Sequence, residues 1–224
     1  MRGFVRENSL TVAFGIAFLL VLLGQAVAGH SEFNEDLTVD GLARIGFGEY
    51  LMSSDFAVDV TENWQSEYLQ FFLYVFGTVY LLQRGSPESK EMHKAGIESE
   101  RDQLMGVHVG PGSPRWAGAP GWRRTLYSRS LGLVMASLFF LSWLTQSIAG
   151  VAAYDEQRLR RLQAPVGWGE YLVSADFWSR SLQNWQSELL AVASMAILSV
   201  YLRQRGSPES KPVGAAHTST GVEG

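Results

Sequence analysis

The octapeptide QRGSPESK occupies residues 83–90 and returns, letter for letter, at residues 204–211. Each copy closes an apolar stretch, although the two stretches share few side chains. Working outward, Glu170 lies 121 residues after Glu49, and the same shift pairs Gln25 with Gln146, Asp55 with Asp176 and Trp64 with Trp185. No gap is needed from Ser9 to Lys90, and roughly four positions in ten are identical over that span. The chain reads as two tandem copies of one unit.

Hydropathy says what the unit is. Apolar residues gather in four blocks, 9–28, 64–82, 130–149 and 185–202, with charges crowded between them. At 1.5 Å per helical residue, each block is about the 30 Å of a bilayer's hydrocarbon layer. The expected fold is all-α and integral to the membrane, with four transmembrane helices arranged as two parallel tandem repeats of a helical hairpin. Short interfacial helices near Glu49 and Glu170 would set Tyr50 and Tyr171 at headgroup level. Residues 1–90 form the first repeat and 125–211 the second. The Gly- and Pro-rich stretch 91–124 reads as a flexible cytoplasmic linker, and 212–224 as a disordered tail.

The first block raises an alternative. Basic residues precede it, and Ala26-Val27-Ala28 before Gly29 resembles a secretory cleavage site. The run is longer than a signal-peptide core, and the matching Gln146-Ser147-Ile148-Ala149-Gly150 lies mid-chain, so the block reads as a retained helix.

Lys and Arg fix the orientation. Arg2 and Arg6 precede the first block, Arg84, Lys90 and Lys94 follow the second, and Arg203, Arg205 and Lys211 follow the fourth. Both termini are expected in the cytoplasm of a multi-pass cell-membrane protein. The octet then has a reading. Gly85 and Gly206 suit the left-handed residue that ends a helix, and Pro87 and Pro208 cannot continue one. The octet stops a helix and its arginine fixes the depth.

Several chemistries are excluded or unsupported. The chain has no cysteine, so disulfides and thiolate metal sites are ruled out. No basic stretch suits nucleic acid. The four histidines have no partners under the repeat, which argues against haem or a His-based metal site. No serine nucleophile has a matching base and acid. No cofactor is expected.

The polar residues that do repeat are the candidate site: Gln25, Glu49, Asp55, Asn63 and Glu67, with Gln146, Glu170, Asp176, Asn184 and Glu188. Asp55 and Asp176, or the residue before each, suit helix N-caps. Asn63, Ser66 and Glu67 share a helical face, with Trp64 and Trp185 as belt anchors. Glu67 and Glu188 fall near the outer hydrocarbon boundary, where the two glutamines could meet them.

The paired Gly-Glu-Tyr-Leu, Asn-Trp-Gln-Ser-Glu and QRGSPESK segments resemble a family of small bacterial, actinobacterial-type membrane proteins classed as a domain of unknown function. The resemblance covers nearly the whole chain. It implies a membrane location and brings no catalytic residues.

The expected role is a non-enzymatic accessory or scaffold subunit in the lipid bilayer, partnered by its own copies or by another membrane protein. The alternatives are a channel or proton-coupled carrier using Glu67 and Glu188, and a sensor working through the outer loops.

Overall fold

A computed structural model describes residues 2–222. The regular structure of the described residues is helical, with no strand among them. The elements in order are α1 (Arg2–Glu7), α2 (Ser9–Val39), α3 (Phe47–Leu51), α4 (Ser54–Tyr80), α5 (Trp122–Ser128), α6 (Ser130–Arg160), α7 (Trp168–Leu172) and α8 (Ala175–Tyr201). A single 3-10 turn, Gly106–His108, sits between α4 and α5.

Each apolar block falls almost wholly in a long helix, with 81–82 and 202 just past the ends of α4 and α8, and each helix extends well beyond its block at one end. α2 and α6 continue past Ala28 and Ala149 for eleven residues of mixed polarity, reaching 31 residues each, about 46 Å. α4 and α8, 27 residues each, begin about ten positions before their apolar blocks. Length and composition qualify two helices to cross a membrane, α2 and α6, and not the expected four. The physical reason is on α4 and α8 themselves. Each opens with a polar half that carries Asp55 or Asp176 and the Asn-Trp-Gln-Ser-Glu segment, which dilutes its apolar stretch.

The chain divides into two compact units. Unit 1 comprises Met1–Thr61 and Thr145–Phe177, and unit 2 comprises Glu62–Leu144 and Trp178–Gly224. α4, α6 and α8 contribute residues to both.

Unit 1 is built from a turn that occurs twice. The Asn34 side chain accepts a hydrogen bond from the Ile45 N–H at 2.8 Å and donates to the Ile45 carbonyl at 3.1 Å, folding the chain back after α2. Asp155 accepts from the Val166 N–H at 2.8 Å after α6. Glu49 then accepts from the Gly46 N–H at 3.1 Å, and Glu170 from the Gly167 N–H at 2.9 Å, each closing the start of a five-residue helix. A glycine has no side chain to answer, so only the glutamate half of a capping box is present.

Ser53 and Ser174 cap the next helices, accepting from the Phe56 and Phe177 N–H groups at 3.2 Å. The N-cap therefore stands two residues before Asp55 and Asp176, not at those residues or immediately before them. Serine hydroxyls compete well for a free helical amide, and here they sit where the helix starts.

Tyr50 and Tyr171, expected at headgroup level, have buried rings. They are core residues, 2% and 0% exposed. Tyr50 packs among His30, Phe33 and Phe56, and Tyr171 between Tyr154 and Phe177. Each ring lies against a glycine, Gly29 for Tyr50 and Gly150 for Tyr171, with no room for a Cβ. The Ala-Gly that resembled a cleavage site is a seat for a tyrosine ring.

Unit 2 holds an aromatic cluster and the two octets. Trp143, Trp178 and Trp185 pack together, and Phe139 stacks on Trp143 at 5.7 Å. Gly85 and Gly206 have φ of +87° and +82°, but α4 and α8 have already ended at Tyr80 and Tyr201, so neither glycine caps its helix. Each serves the turn that follows, closed by Ser86 N–H to the Gln83 carbonyl and Ser207 N–H to the Gln204 carbonyl. Inside each octet the first N–H bonds to the second serine: Gln83 to Ser89 and Gln204 to Ser210, both at 2.9 Å. Lys90 donates to the Gly96 carbonyl at 2.9 Å and pairs with Glu98 at 3.1 Å. The stretch after the first octet carries local bonds of its own, including Gly106 N–H to the Ala117 carbonyl at 2.9 Å and an Arg124–Glu100 pair at 3.0 Å. Residues 212–222, where composition suggests disorder, lie against the octets.

Candidate functional site

The ten candidate residues are divided between the two units. Unit 1 holds Gln25, Glu49, Asp55, Gln146, Glu170 and Asp176, and unit 2 holds Asn63, Glu67, Asn184 and Glu188. Glu49 and Glu170 are spent on the caps described above. Asp176 accepts a hydrogen bond from the Tyr171 hydroxyl at 3.3 Å. Gln25 is half-buried on α2. Gln146 is fully buried, and neither polar atom of its amide has a partner among the described residues.

Asp55 has the most developed surroundings. It borders a cleft of about 300 Å³ formed by the polar ends of α2 and α6, with Asp36, Asp40, Glu156 and Arg160 in its walls. Arg160 bridges two of the acids, at 3.0 Å to Asp40 and 2.6 Å to Glu156. Its guanidinium lies over the Phe33 ring at 5.5 Å. Burial pushes the Asp55 carboxyl above its ordinary range, and the Glu156 charge adds to that. Arg160 opposes both without cancelling them. Burial likewise drives the Tyr50 hydroxyl up to about 12, with Asp59, Asp55 and Glu32 adding to the effect. No cluster of acids and histidines with metal-binding geometry occurs among the described residues.

Unit 2 separates residues that helical spacing had grouped. Asn63 and Glu67 are exposed on α4, whereas Ser66 turns inward at 1% exposure and bonds to the Asn63 carbonyl at 2.8 Å. Glu188 is half-buried on α8, within electrostatic reach of Glu67, and Asn184 donates to the Arg180 carbonyl at 3.0 Å. Trp185, expected as a belt anchor, donates its indole N–H to the Gln65 side-chain oxygen at 2.7 Å from within the aromatic cluster. The Gln65 amide nitrogen has no partner among the described residues.

Sequence reasoning missed Gln65, the Arg160 network, and an Arg180–Glu62 pair at 3.2 Å. Gln65 carried a usable signal, because it sits inside a repeated pentapeptide. Arg160 and Arg180 carried none, since the shift of 121 puts Val39 and Asp59 opposite them.

The family described as Domain of unknown function (DUF6766) matches residues 1–222. The chain belongs to this family. No curated protein and no solved structure matches it. Membership in DUF6766 thus spans both units and both octets.

Proposed function

We propose that the protein is an integral membrane protein in which α2, α4, α6 and α8 all cross the bilayer, with both termini cytoplasmic. In this reading it acts without catalysis, as an accessory or scaffold subunit. The observation that carries the reading is a stripe on α4. Asn63, Glu67 and Phe71 recur every four residues, so they share one face, and all three are exposed. Glu67 has no hydrogen bond or ion pair among the described residues. A carboxylate facing lipid at the hydrocarbon boundary costs less than at the bilayer centre, and a neighbouring helix that donates a hydrogen bond removes that cost. α2 supports the same conclusion, since Leu19, Leu20 and Val21 step around it onto different sides and all are exposed. The partner is a second copy or another membrane protein.

Native mass spectrometry after mild-detergent extraction from the protein's own membranes tests this. A reproducible oligomer or second polypeptide is expected, and a lone monomer overturns the reading.

The cleft at Asp55 favours a second reading, the sensing of a small cation by the outer loops. Four carboxylates face two arginines there, Arg160 and Arg161, and Arg160 already serves Asp40 and Glu156. A primary amine or guanidinium would complete the balance at Asp55. Calorimetric titration with alkylamines and guanidines should give saturable binding that Asp55→Asn abolishes, and absence of heat across the series sinks it.

A further inference from the structure

Residues 212–222 are bonded to both octets. At the second octet, Lys211 is 1% exposed and spends its ammonium on three carbonyls of the segment that follows it: Ala216 at 3.2 Å, His217 at 2.9 Å and Ser219 at 3.2 Å. Arg203 adds a bond to the Ala215 carbonyl at 3.1 Å. The His217 ring sits 3.1 Å from the Val200 carbonyl, one of the acceptors left open where α8 ends. At the first octet, the Gly85 N–H donates to the Thr220 hydroxyl at 2.9 Å, and the Gly221 N–H donates to the Ser86 carbonyl at 3.0 Å. Gly85 also lies against the His217 carbonyl with no room for a Cβ, so the contact needs a glycine.

We infer that residues 212–222 form a releasable strap that ties the octet closing α8 to the octet closing α4, with Lys211 as its anchor and Thr220–Gly221 as its latch. The two ends differ in strength. The anchor is an ammonium shielded from water, and hydrogen bonds to a charged donor are roughly twice as strong as neutral ones. The latch is two neutral bonds, joining the buried Gly85 and Ser86 to the half-buried Thr220 and the exposed Gly221. Opening therefore begins at the latch while the anchor holds, and it uncovers the Gly85 N–H and the Ser86 carbonyl. The second octet, built from the same eight residues, already has Gly206 open, with nothing within 4 Å of a Cβ placed there.

Residue-resolved hydrogen exchange on the full chain in detergent micelles tests the strap. The Gly85 and Gly221 amides should exchange at least about tenfold more slowly than unstructured amides. Thr220→Val should return Gly85 to the unprotected rate while α4 and α8 keep theirs. Lys211→Met should free both ends, raising exchange at Gly85 and Gly221 together. Unprotected amides at both glycines in the parent protein overturn the strap. Protection at Gly85 that survives Thr220→Val overturns the latch, and protection that survives Lys211→Met overturns the anchor. Loss of protection in α4 or α8 would mark a variant as unfolded. Lys211→Arg then replaces Lys211→Met for the anchor and Thr220→Ser replaces Thr220→Val for the latch. Each keeps the bonding group, so unaltered Gly85 protection is the expected result and its loss overturns the assignment.

Discussion

The ring of Tyr171 closes over Gly150 so tightly that a Cβ there would lie 2.5 Å from the hydroxyl oxygen and 2.9 Å from two ring carbons. Gly150→Ala must push a fully buried tyrosine out of its seat. The expected loss is about 1–3 kcal/mol, the usual cost of overpacking. Thermal unfolding in one detergent checks it, with Gly169→Ala as control, because nothing lies within 4 Å of a Cβ at Gly169. Equal midpoints for the two variants would remove the seat from the account.

The octets allow a paired comparison. Gly206→Ala meets only backbone strain at φ +82°, worth about 1 kcal/mol. Gly85→Ala meets the same strain and collides with the His217 carbonyl. Gly85→Ala should therefore lower the unfolding midpoint further, and an equal drop would mean that the strap leaves Gly85 unloaded.

Asp55 predicts a pH dependence with a definite sign. Its carboxyl is raised in the folded protein above the value of about 3.9 in an unfolded chain. Its favourable contribution is then complete below pH ~4 and fades as pH rises through the folded value. Asp55→Asn should match the parent near pH 4 and exceed it in stability at pH 7. Parallel melting of the two proteins over that interval would contradict the burial described for Asp55.

Asn34 and Asp155 hold equivalent turns with unequal means. Asn34 uses both atoms of its amide, and Asp155 holds its turn by one accepted bond. Asn34→Asp keeps the acceptor and should cost about 1 kcal/mol, while Asn34→Ala loses both bonds to Ile45 and the one to His30 and should cost about 2–3 kcal/mol. Denaturation midpoints of the two variants give the ranking directly, and the reverse order would discount the turn.

Local grammar was legible in the sequence and facing was not. The octet's glycines and prolines announced a break in the helix, because a left-handed residue and a missing N–H act on the local chain, and the break itself comes earlier, with α4 ending at Tyr80 and α8 at Tyr201. The burial of Tyr50 and Tyr171 was hidden, since a tyrosine at a headgroup and one in a core look alike until a partner glycine is known. Periodicity put Asn63 and Glu67 on one face, but whether that face looks inward depends on what packs behind it. Arg160 reaches Asp40 across 120 residues of chain, a distance over which no spacing rule operates.

The pentapeptide Asn-Trp-Gln-Ser-Glu occurs twice, yet Gln65 is fully buried and Gln186 is exposed. The indoles of Trp143 and Trp178, which surround Trp185, stand where the first half carries Leu22 and Ala57. A gene that spelled the first half twice would restore every letter of the pentapeptide and still lack the indole platform beneath it. The two halves are therefore not spare parts for one another, and their order along the chain carries information that their shared words do not.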